Sequence, residues 1–325
     1  MRRLSLLAIV LVASTGCDDF DFQDFLDNIE WEEAGSFEGG QLYAQSRGVV
    51  IHDNGNDAHV GMSGTTCEVD TDGGWIGTDH DIATANDEVV VDSKGEPAGD
   101  LVLVTTDDSV HVVTKDDFWG DDQEDYNVPG TIDAGFDDEG IVVLSDDPNT
   151  GCTVTWVDRH NPNGDIRQPI DDSSCDGGAV SVDPKTGDAF VTSGYGTVTK
   201  VSSSGLVENV ETGVDIAVWD TFSDTLYTAN IGDSVVNGLE ADGTHIWTTD
   251  IGAGVVSIED AGVRQGAIVL AEMGGHNQVL FLDSDNGAQD LQLEIPGADA
   301  SDIAVSNNGH NIGVIRANEV YFTRI

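Results

Sequence analysis

The sequence predicts an all-β fold, and three observations carry this prediction. Short apolar runs alternate with polar turns from residue 40 to the end of the chain. Glycine is abundant, at 39 of the 325 residues, and aromatic residues make up only 6%, which suits many short strands joined by tight turns. One strand-turn-strand segment also recurs along the chain, which indicates a repeat architecture.

Seven segments share the shape of an apolar run, a polar turn and a second apolar run. The last apolar residues before the seven turns are Ile51, Val91, Phe136, Val182, Val218, Ile258 and Val305. Their spacing ranges from 36 residues (Val182 to Val218) to 47 residues (Ile258 to Val305). Two further strand-like runs usually follow each segment, so that a unit of about 40 residues holds four strands, which is the pattern of a β-propeller.

The two ends of the repeat region complement each other. The seventh unit ends after three strands, and one strand-like run, 41–44, is left over before the first unit. We therefore predict seven four-stranded blades over residues 40–325, with the N-terminal strand at 41–44 completing the last blade. Six or eight blades stay open because the second and third units are irregular. No linker or composition break divides this region, which predicts one domain.

The repeats resemble two families of propeller sequences. The segment AVSVDPKTGDAFVTS (179–193) is similar to the YVTN repeat, and FLDSDNG (281–287) resembles the strand-to-turn step of quinoprotein-type blades. The resemblance covers residues 41–325 and implies a YVTN or WD-repeat-like propeller, although the GH…WD dipeptide pair of typical WD repeats does not recur. Propellers host many functions, so this resemblance implies a fold.

The first sixteen residues have the layout of a secretory signal peptide. Met1-Arg2-Arg3 is positively charged, the ten residues 4–13 are apolar, and the small residues 14–16 follow. An apolar run of ten is well short of the roughly 20 residues that span a bilayer. We therefore predict that residues 1–16 are a signal peptide and that the chain is exported.

The sequence Ser14-Thr15-Gly16-Cys17 resembles the lipobox of bacterial lipoproteins. The resemblance implies that Cys17 becomes the lipidated first residue of the mature protein. The protein would then be anchored in the inner or outer membrane of the cell envelope, facing the periplasm or the surface. Residues 17–39 follow as an acidic tether, since nine acids and no Lys or Arg lie between residues 18 and 39. Helical spacing of apolar residues between 22 and 29 leaves a short docked helix as the alternative.

The charge excludes one class of partner. The chain has 61 Asp and Glu against 12 Lys and Arg, which gives a formal net charge of −49. Such a charge repels phosphate backbones, so we expect no nucleic-acid partner. Dense carboxylates are also a feature of salt-adapted proteins, so adaptation to high salt is another interpretation of this composition.

Cysteine positions predict one disulfide. Cys152 begins the third strand of its unit and Cys175 follows the fourth, so folding this hairpin brings the two thiols together, and an exported compartment permits their oxidation. Cys67, in another blade, is expected to stay a buried thiol.

Calcium is the one metal that the sequence suggests. Two acidic turns place carboxylates at positions 1, 3 and 12 of a calcium loop. The candidate ligands are Asp70, Asp72, Asp81, Asp283, Asp285 and Glu294. Both turns lack a ligand at position 5, and Asp and Gly are also what ordinary tight turns prefer, so calcium stays a possibility and no other cofactor is indicated.

No coherent catalytic set is visible, and no G-x-S-x-G or H-E-x-x-H motif occurs. The sequence therefore favours a membrane-anchored, non-catalytic binding or scaffolding propeller whose partner is an envelope protein or a polysaccharide. The alternative is an enzyme, a metal-dependent hydrolase or lactonase-type propeller with carboxylates around a central channel.

Overall fold

The strands occur where the repeats predict them. The computed structural model describes residues 32–36, 49–51, 57–62, 65–70, 74–80, 90–95, 101–106, 109–114, 124–138, 140–147, 149, 151–161, 164–171, 175, 177–295, 300–305, 309, 311–316 and 319–324. The described residues belong to one compact unit. The predicted signal peptide, Cys17 and the run at 41–44 lie outside the described residues.

The described residues form 28 strands, grouped in seven four-stranded antiparallel sheets, here called blades 1 to 7. Blades 1 and 2 contain β2 to β9, at Val49–Ile51, Asp57–Met62, Thr65–Asp70, Gly74–His80, Val90–Gly95, Leu101–Thr106, Ser109–Thr114 and Glu124–Asn127. Blades 3 and 4 contain β10 to β17, at Thr131–Phe136, Gly140–Asp147, Gly151–Asp158, Ile166–Pro169, Ala179–Asp183, Asp188–Ser193, Thr197–Val201 and Val207–Thr212. Blades 5 and 6 contain β18 to β25, at Ile216–Asp220, Thr225–Ala229, Val235–Leu239, His245–Asp250, Gly254–Asp260, Gly266–Met273, His276–Asp283 and Gln289–Glu294. Blade 7 contains β26 to β28, at Ala300–Val305, Asn311–Arg316 and Glu319–Arg324, together with β1, at Glu32–Ser36.

The blades are arranged in a closed ring. Each blade begins with an inner strand, called a, and continues outward through strands b, c and d. The a strand of each blade contacts the a strand of the next, and β26 of blade 7 contacts β2 of blade 1. This arrangement confirms the predicted all-β propeller. Among the described residues no helix is long and apolar enough to cross a membrane, and a single 3-10 turn occurs at Gly262–Arg264.

An N-terminal strand completes blade 7, but it lies earlier in the chain than the run at 41–44. Strand β1 is the d strand of this blade and pairs antiparallel with β28, where Glu33 is opposite Tyr321 and Ser36 is opposite Glu319. It therefore falls inside the segment that the sequence assigns to the acidic tether, 17–39. Acidic residues suit this position because an outer strand is paired along one edge only and charged residues on it discourage edge-to-edge aggregation.

Burial explains why the middle strands are the most apolar. Strands β12 and β19 are buried along nearly their whole length, whereas the outer strands β13 and β17 are mostly exposed. Both faces of a b or c strand pack against neighbouring blades, so such strands need apolar side chains at consecutive positions. The cores lie between adjacent blades, as in the cluster that joins Leu144 and Trp156 of blade 3 to Val191 of blade 4.

Tryptophans connect neighbouring blades. Trp156 Nε1 donates to the carbonyl oxygen of Gly187 at 2.7 Å, from blade 3 to blade 4, and Trp247 Nε1 donates to that of Ser284 at 2.6 Å, from blade 5 to blade 6. The Trp219 ring stacks on Phe190 with the ring centroids 5.0 Å apart. These contacts bury large apolar rings and satisfy two of the indole N–H groups.

Candidate functional site

The turns of the propeller lie on two opposite faces. Because consecutive strands of a blade are antiparallel, the a–b and c–d turns meet on one face, and the b–c turns and the d–a connections meet on the other. We call the second of these the b–c face. In blades 4 to 6 it is formed by the turns at 194–196, 230–234 and 274–275 and by the connections at 213–215 and 251–253.

Backbone hydrogen bonds hold this face together within and between blades. The N–H of Gly213 donates to the carbonyl oxygen of Gly196 at 2.5 Å, which joins a connection to the b–c turn of its own blade. The N–H of Gly232 donates to the Val255 carbonyl at 2.7 Å, and the Val255 N–H donates to the Asp233 carbonyl at 2.8 Å. These last two bonds attach the b–c turn of blade 5 to the first strand of blade 6, so this turn is fixed in position.

Three successive b–c turns of this face each have an exposed large apolar side chain in the turn or directly before it. Tyr195 in blade 4 is 70% exposed, Ile231 in blade 5 is 54% exposed and Met273 in blade 6 is 47% exposed. Each of them has a glycine directly beside it, and Val235 at the start of the c strand of blade 5 is a fourth exposed apolar side chain on this face. Exposed apolar residues on fixed turns are typical of interaction surfaces.

The charges around these side chains are all negative. Between residues 140 and 305, nine acidic residues of the described part of the chain lie at the b–c end of their strands or in the adjoining turns. They are Asp146, Asp147, Asp171, Glu211, Asp215, Asp233, Asp250, Glu272 and Glu294. All five Lys and Arg residues of the same range lie toward the opposite face, namely Arg159, Arg167, Lys185, Lys200 and Arg264.

A pair of aspartates occupies the opposite face, at the a–b turns of blades 5 and 6. Asp220 is fully buried, and its Oδ2 accepts hydrogen bonds from Ser223 Oγ at 2.7 Å and from Tyr227 Oη at 2.9 Å. The same oxygen accepts a bond from the N–H of Gly266 in blade 6 at 3.0 Å. This carboxylate therefore fastens one blade to the next.

The second aspartate of the pair, Asp260, is held by fewer donors. Its Oδ1 accepts a hydrogen bond from the Gly262 N–H at 2.8 Å. Burial, with the charge of Asp220 as a smaller cause, raises the pKa of Asp260 to about 7. Burial also lowers the pKa of the nearby Arg264. The cluster has a structural role, because the bond from the Gly266 N–H to Asp220 links blade 6 to blade 5.

Blade 2 contains a Ser–His–Asp arrangement that the sequence did not suggest. Ser109 Oγ lies 2.8 Å from His111 Nε2, and His111 Nδ1 lies 2.8 Å from Asp125 Oδ1. These contacts have the order of a hydrolytic triad. Ser109 and His111, however, are buried and lie two residues apart on β8, which is paired with β7 on one side and β9 on the other. The backbone N–H groups of such a strand are committed to its neighbours, so the arrangement serves best to join β8 to β9.

The structure does not bring the second set of candidate calcium ligands together. Asp283 ends β24, and its Oδ1 accepts the N–H groups of Asp285 at 3.0 Å and Asn286 at 3.2 Å, as in an ordinary strand-to-strand turn. Glu294 lies opposite Gln278, five residues from Asp283 along β24 and at the other end of the blade. The distance is roughly 16 Å at about 3.3 Å per residue.

Of the first calcium set, Asp70 ends β4, and Asp72 and Asp81 lie outside the described residues. Within the part of the chain that the structure describes, no group of three or more His, Cys, Asp or Glu side chains has a geometry that holds a metal ion.

The predicted disulfide is present. Cys152 and Cys175 are joined, and their Cα atoms are 5.6 Å apart. The bond ties the start of the c strand of blade 3 to the connection that leads to blade 4, so it lies on the b–c face. Cys67 lies in β4, in another blade.

Sequence analysis missed the b–c face as a site, because it treated the turns as ordinary polar turns. The available signal is an apolar residue beside glycine where a polar residue is expected. It occurs as Gly194-Tyr195-Gly196, as Ile231-Gly232 and as Met273-Gly274-Gly275.

Comparison with known proteins identifies the fold and no family. No protein-family model matches the chain, and no curated protein matches it. Among solved structures, a chain in the crystal structure of the mitotic checkpoint complex superimposes with a TM-score of 0.68 at 12% identity, covering 91% of this chain and 94% of that chain. The Cps50 (Swd1) β-propeller domain of Myceliophteria thermophila superimposes with a TM-score of 0.64 at 9% identity, covering 91% of this chain and 100% of that chain.

Both neighbours are WD40-type β-propellers, so the chain has a WD-repeat-like propeller fold. In all, 1290 solved chains resemble it, and a fold shared so widely does not select a function.

Proposed function

We propose that this protein is a membrane-anchored envelope lipoprotein whose propeller is a non-catalytic binding scaffold for an envelope protein or a polysaccharide. One observation carries the binding role: three successive b–c turns expose Tyr195, Ile231 and Met273 in them or directly beside them, and backbone hydrogen bonds hold the turns of blades 4 and 5 in place. A surface held in place in this way loses little conformational freedom when a partner binds.

The membrane location is supported by the sequence. The lipobox-like Ser14–Cys17 would attach the chain to a bilayer through lipid. A covalent lipid suits this chain because its net charge of −49 by itself repels anionic lipid head groups. Two or three acyl chains hold a protein at a membrane stably, whereas one does so only marginally.

A serine-hydrolase function, distinct from the metal-dependent alternative, is what the Ser–His–Asp arrangement in blade 2 raises. A catalytic serine needs an accessible Oγ and two N–H donors for the oxyanion, and Ser109 is buried in a strand that is paired on both sides. These features argue against hydrolysis by Ser109.

The test uses the full chain in the cells that make it, compared with a Cys17→Ser variant. We expect the wild-type chain to sediment with membranes and the variant to be released. We also expect crosslinking and mass spectrometry to recover the same partner with both, because the partner contacts the propeller. A fluorophosphonate probe should leave Ser109 unlabelled. Labelling of Ser109 that disappears in Ser109→Ala, together with ester turnover and no recovered partner, would contradict the proposal.

A further inference from the structure

We propose that the b–c face of blades 4 to 6 binds a cationic segment of a partner protein that carries apolar side chains. This inference rests on the proposed binding function and specifies the surface and the chemistry of the partner. In this proposal Tyr195, Ile231 and Met273 contact the apolar side chains of the segment, and the surrounding carboxylates attract its positive charges.

The repetition of the apolar positions is the first step. Isolated exposed apolar residues are common on protein surfaces and need no explanation. Here the three residues lie in or directly before the b–c turns of three consecutive blades, and the Gly232 and Val255 hydrogen bonds attach the turn of blade 5 to the first strand of blade 6. Neighbouring sheets pack about 10 Å apart, so the three side chains lie along an arc of roughly 20 Å. An arc of this length fits one segment of six or seven extended residues.

The distribution of the cations is the second step, because acidic residues lie on both faces of these blades whereas Lys and Arg lie toward only one. The nine described acidic residues at the b–c end of the strands between residues 140 and 305 face no Lys or Arg of that range, because those five cations lie toward the opposite face. Like-charge juxtaposition costs several kcal/mol in an interface, which disfavours acidic partners and anionic lipids. A Lys- or Arg-bearing segment is attracted, and its apolar side chains can cover Ile231 and Met273.

The opposite face supplies a matched control. Val263 in the a–b turn of blade 6 is 54% exposed, the same as Ile231, and Leu206 at the c–d turn of blade 4 is 49% exposed, close to Met273. Substitution of this pair removes equal apolar exposure from the molecule without touching the b–c face. Among acids, exposed Glu240 at a c–d turn is the control for exposed Glu272 on the b–c face.

The experiment measures binding of two synthetic peptides to the purified propeller by fluorescence anisotropy. One peptide alternates Lys and Leu, and the other alternates Lys and Ser. We expect the Lys/Leu peptide to bind more tightly, and Ile231→Ser with Met273→Ser to weaken it at least about tenfold. Val263→Ser with Leu206→Ser should change it less than about twofold. Glu272→Gln should weaken binding at low salt more than Glu240→Gln does, and this difference should fade at about 0.5 M NaCl.

Three results would overturn the inference. Equal loss in the two double variants would mean that the peptide binds without regard to face. Equal binding of the two peptides would mean attraction by charge alone. Capture of zwitterionic vesicles by the wild type, lost in Ile231→Ser with Met273→Ser, would mean that the apolar arc contacts lipid. If that double variant melts at a lower temperature than the wild type, the peptide and vesicle measurements are made with Tyr195→Ser in its place.

The fate of this inference is separable from that of the binding function. A partner crosslinked from membranes that is still recovered with Ile231→Ser and Met273→Ser would overturn this inference and leave the binding function in place. The absence of any partner would count against the binding function itself.

Discussion

At the scale of single residues, the buried Asp220 and the half-buried Asp260 lie where blades 5 and 6 meet. Asp220 accepts donors from its own blade and from Gly266 of the next, which compensates it for the loss of water. Asp260 has one hydrogen bond from its own turn, and burial beside Asp220 raises its pKa from 3.8 to about 7. Its charged form is therefore disfavoured in the folded protein.

This pKa predicts how stability depends on pH at Asp260. Because the folded-state pKa is raised, the folded protein binds the proton more tightly than the unfolded chain does. The contribution of Asp260 to the free energy of unfolding is thus most favourable at and below about pH 4 and is lost as the pH rises through about 7. Asp260→Asn keeps an acceptor for the Gly262 N–H without the charge. We expect the free energy of unfolding of the variant, relative to that of the wild type, to rise by at least about 1 kcal/mol between pH 5 and pH 8.

Thermal or urea unfolding of the two proteins across this pH range measures the difference. Asp290→Asn, at an exposed position on β25, is the control and should run parallel to the wild type. A difference between Asp260→Asn and the wild type that does not vary with pH would show that the carboxyl is ionised throughout.

The residue scale also shows where prediction from sequence stops. The Cys152–Cys175 pairing was predictable because both residues belong to one hairpin and a neighbouring connection, and local chain geometry decides their proximity. The set Asp283, Asp285 and Glu294 was chosen by counting along the chain. Strand β25 instead carries Glu294 to the far end of the blade, where it lies opposite Gln278. Counting does not account for strand register, which tertiary pairing decides.

At the scale of elements, the repeats predicted the strands of the ring well, since apolar runs at about 40-residue spacing dictate blades. The strand that completes blade 7 was less accessible. Glu32–Ser36 has no alternating apolar pattern and sits in an acidic segment, and its pairing with β28 is made by backbone groups. An outer strand leaves little apolar signal in the sequence because it buries little apolar surface.

The disulfide gives the prediction for an element. It closes a loop of 23 residues and holds the connection between blades 3 and 4 against β12, where Ile170 N–H also donates to the Cys152 carbonyl at 3.0 Å. Closing such a loop contributes about 2–4 kcal/mol. We expect Cys152→Ser with Cys175→Ser to lower the melting temperature by about 5–10 °C.

Reductant provides the internal control for the disulfide. It should lower the melting temperature of the wild type to that of the double variant and leave the variant unchanged. Hydrogen exchange should rise first in the connection that contains Cys175. A wild type indifferent to reductant would mean that the bond is absent in solution or adds nothing to stability.

At the scale of the whole molecule, the net charge of −49 is a source of self-repulsion, and its screening by salt is the last prediction. The Debye length falls from about 30 Å at 0.01 M salt to less than about 5 Å at 0.5 M, so salt relieves repulsion between blades first and between neighbouring turns later. We expect the melting temperature to rise by several degrees between 10 mM and 0.5 M NaCl, by the same amount in KCl. Calcium and magnesium chloride at matched ionic strength should also agree with each other, since screening depends on ionic charge and concentration. A flat or falling curve would contradict self-repulsion as a determinant of stability, whereas a rise confined to calcium would point to a specific site at the acidic turn that begins with Asp70.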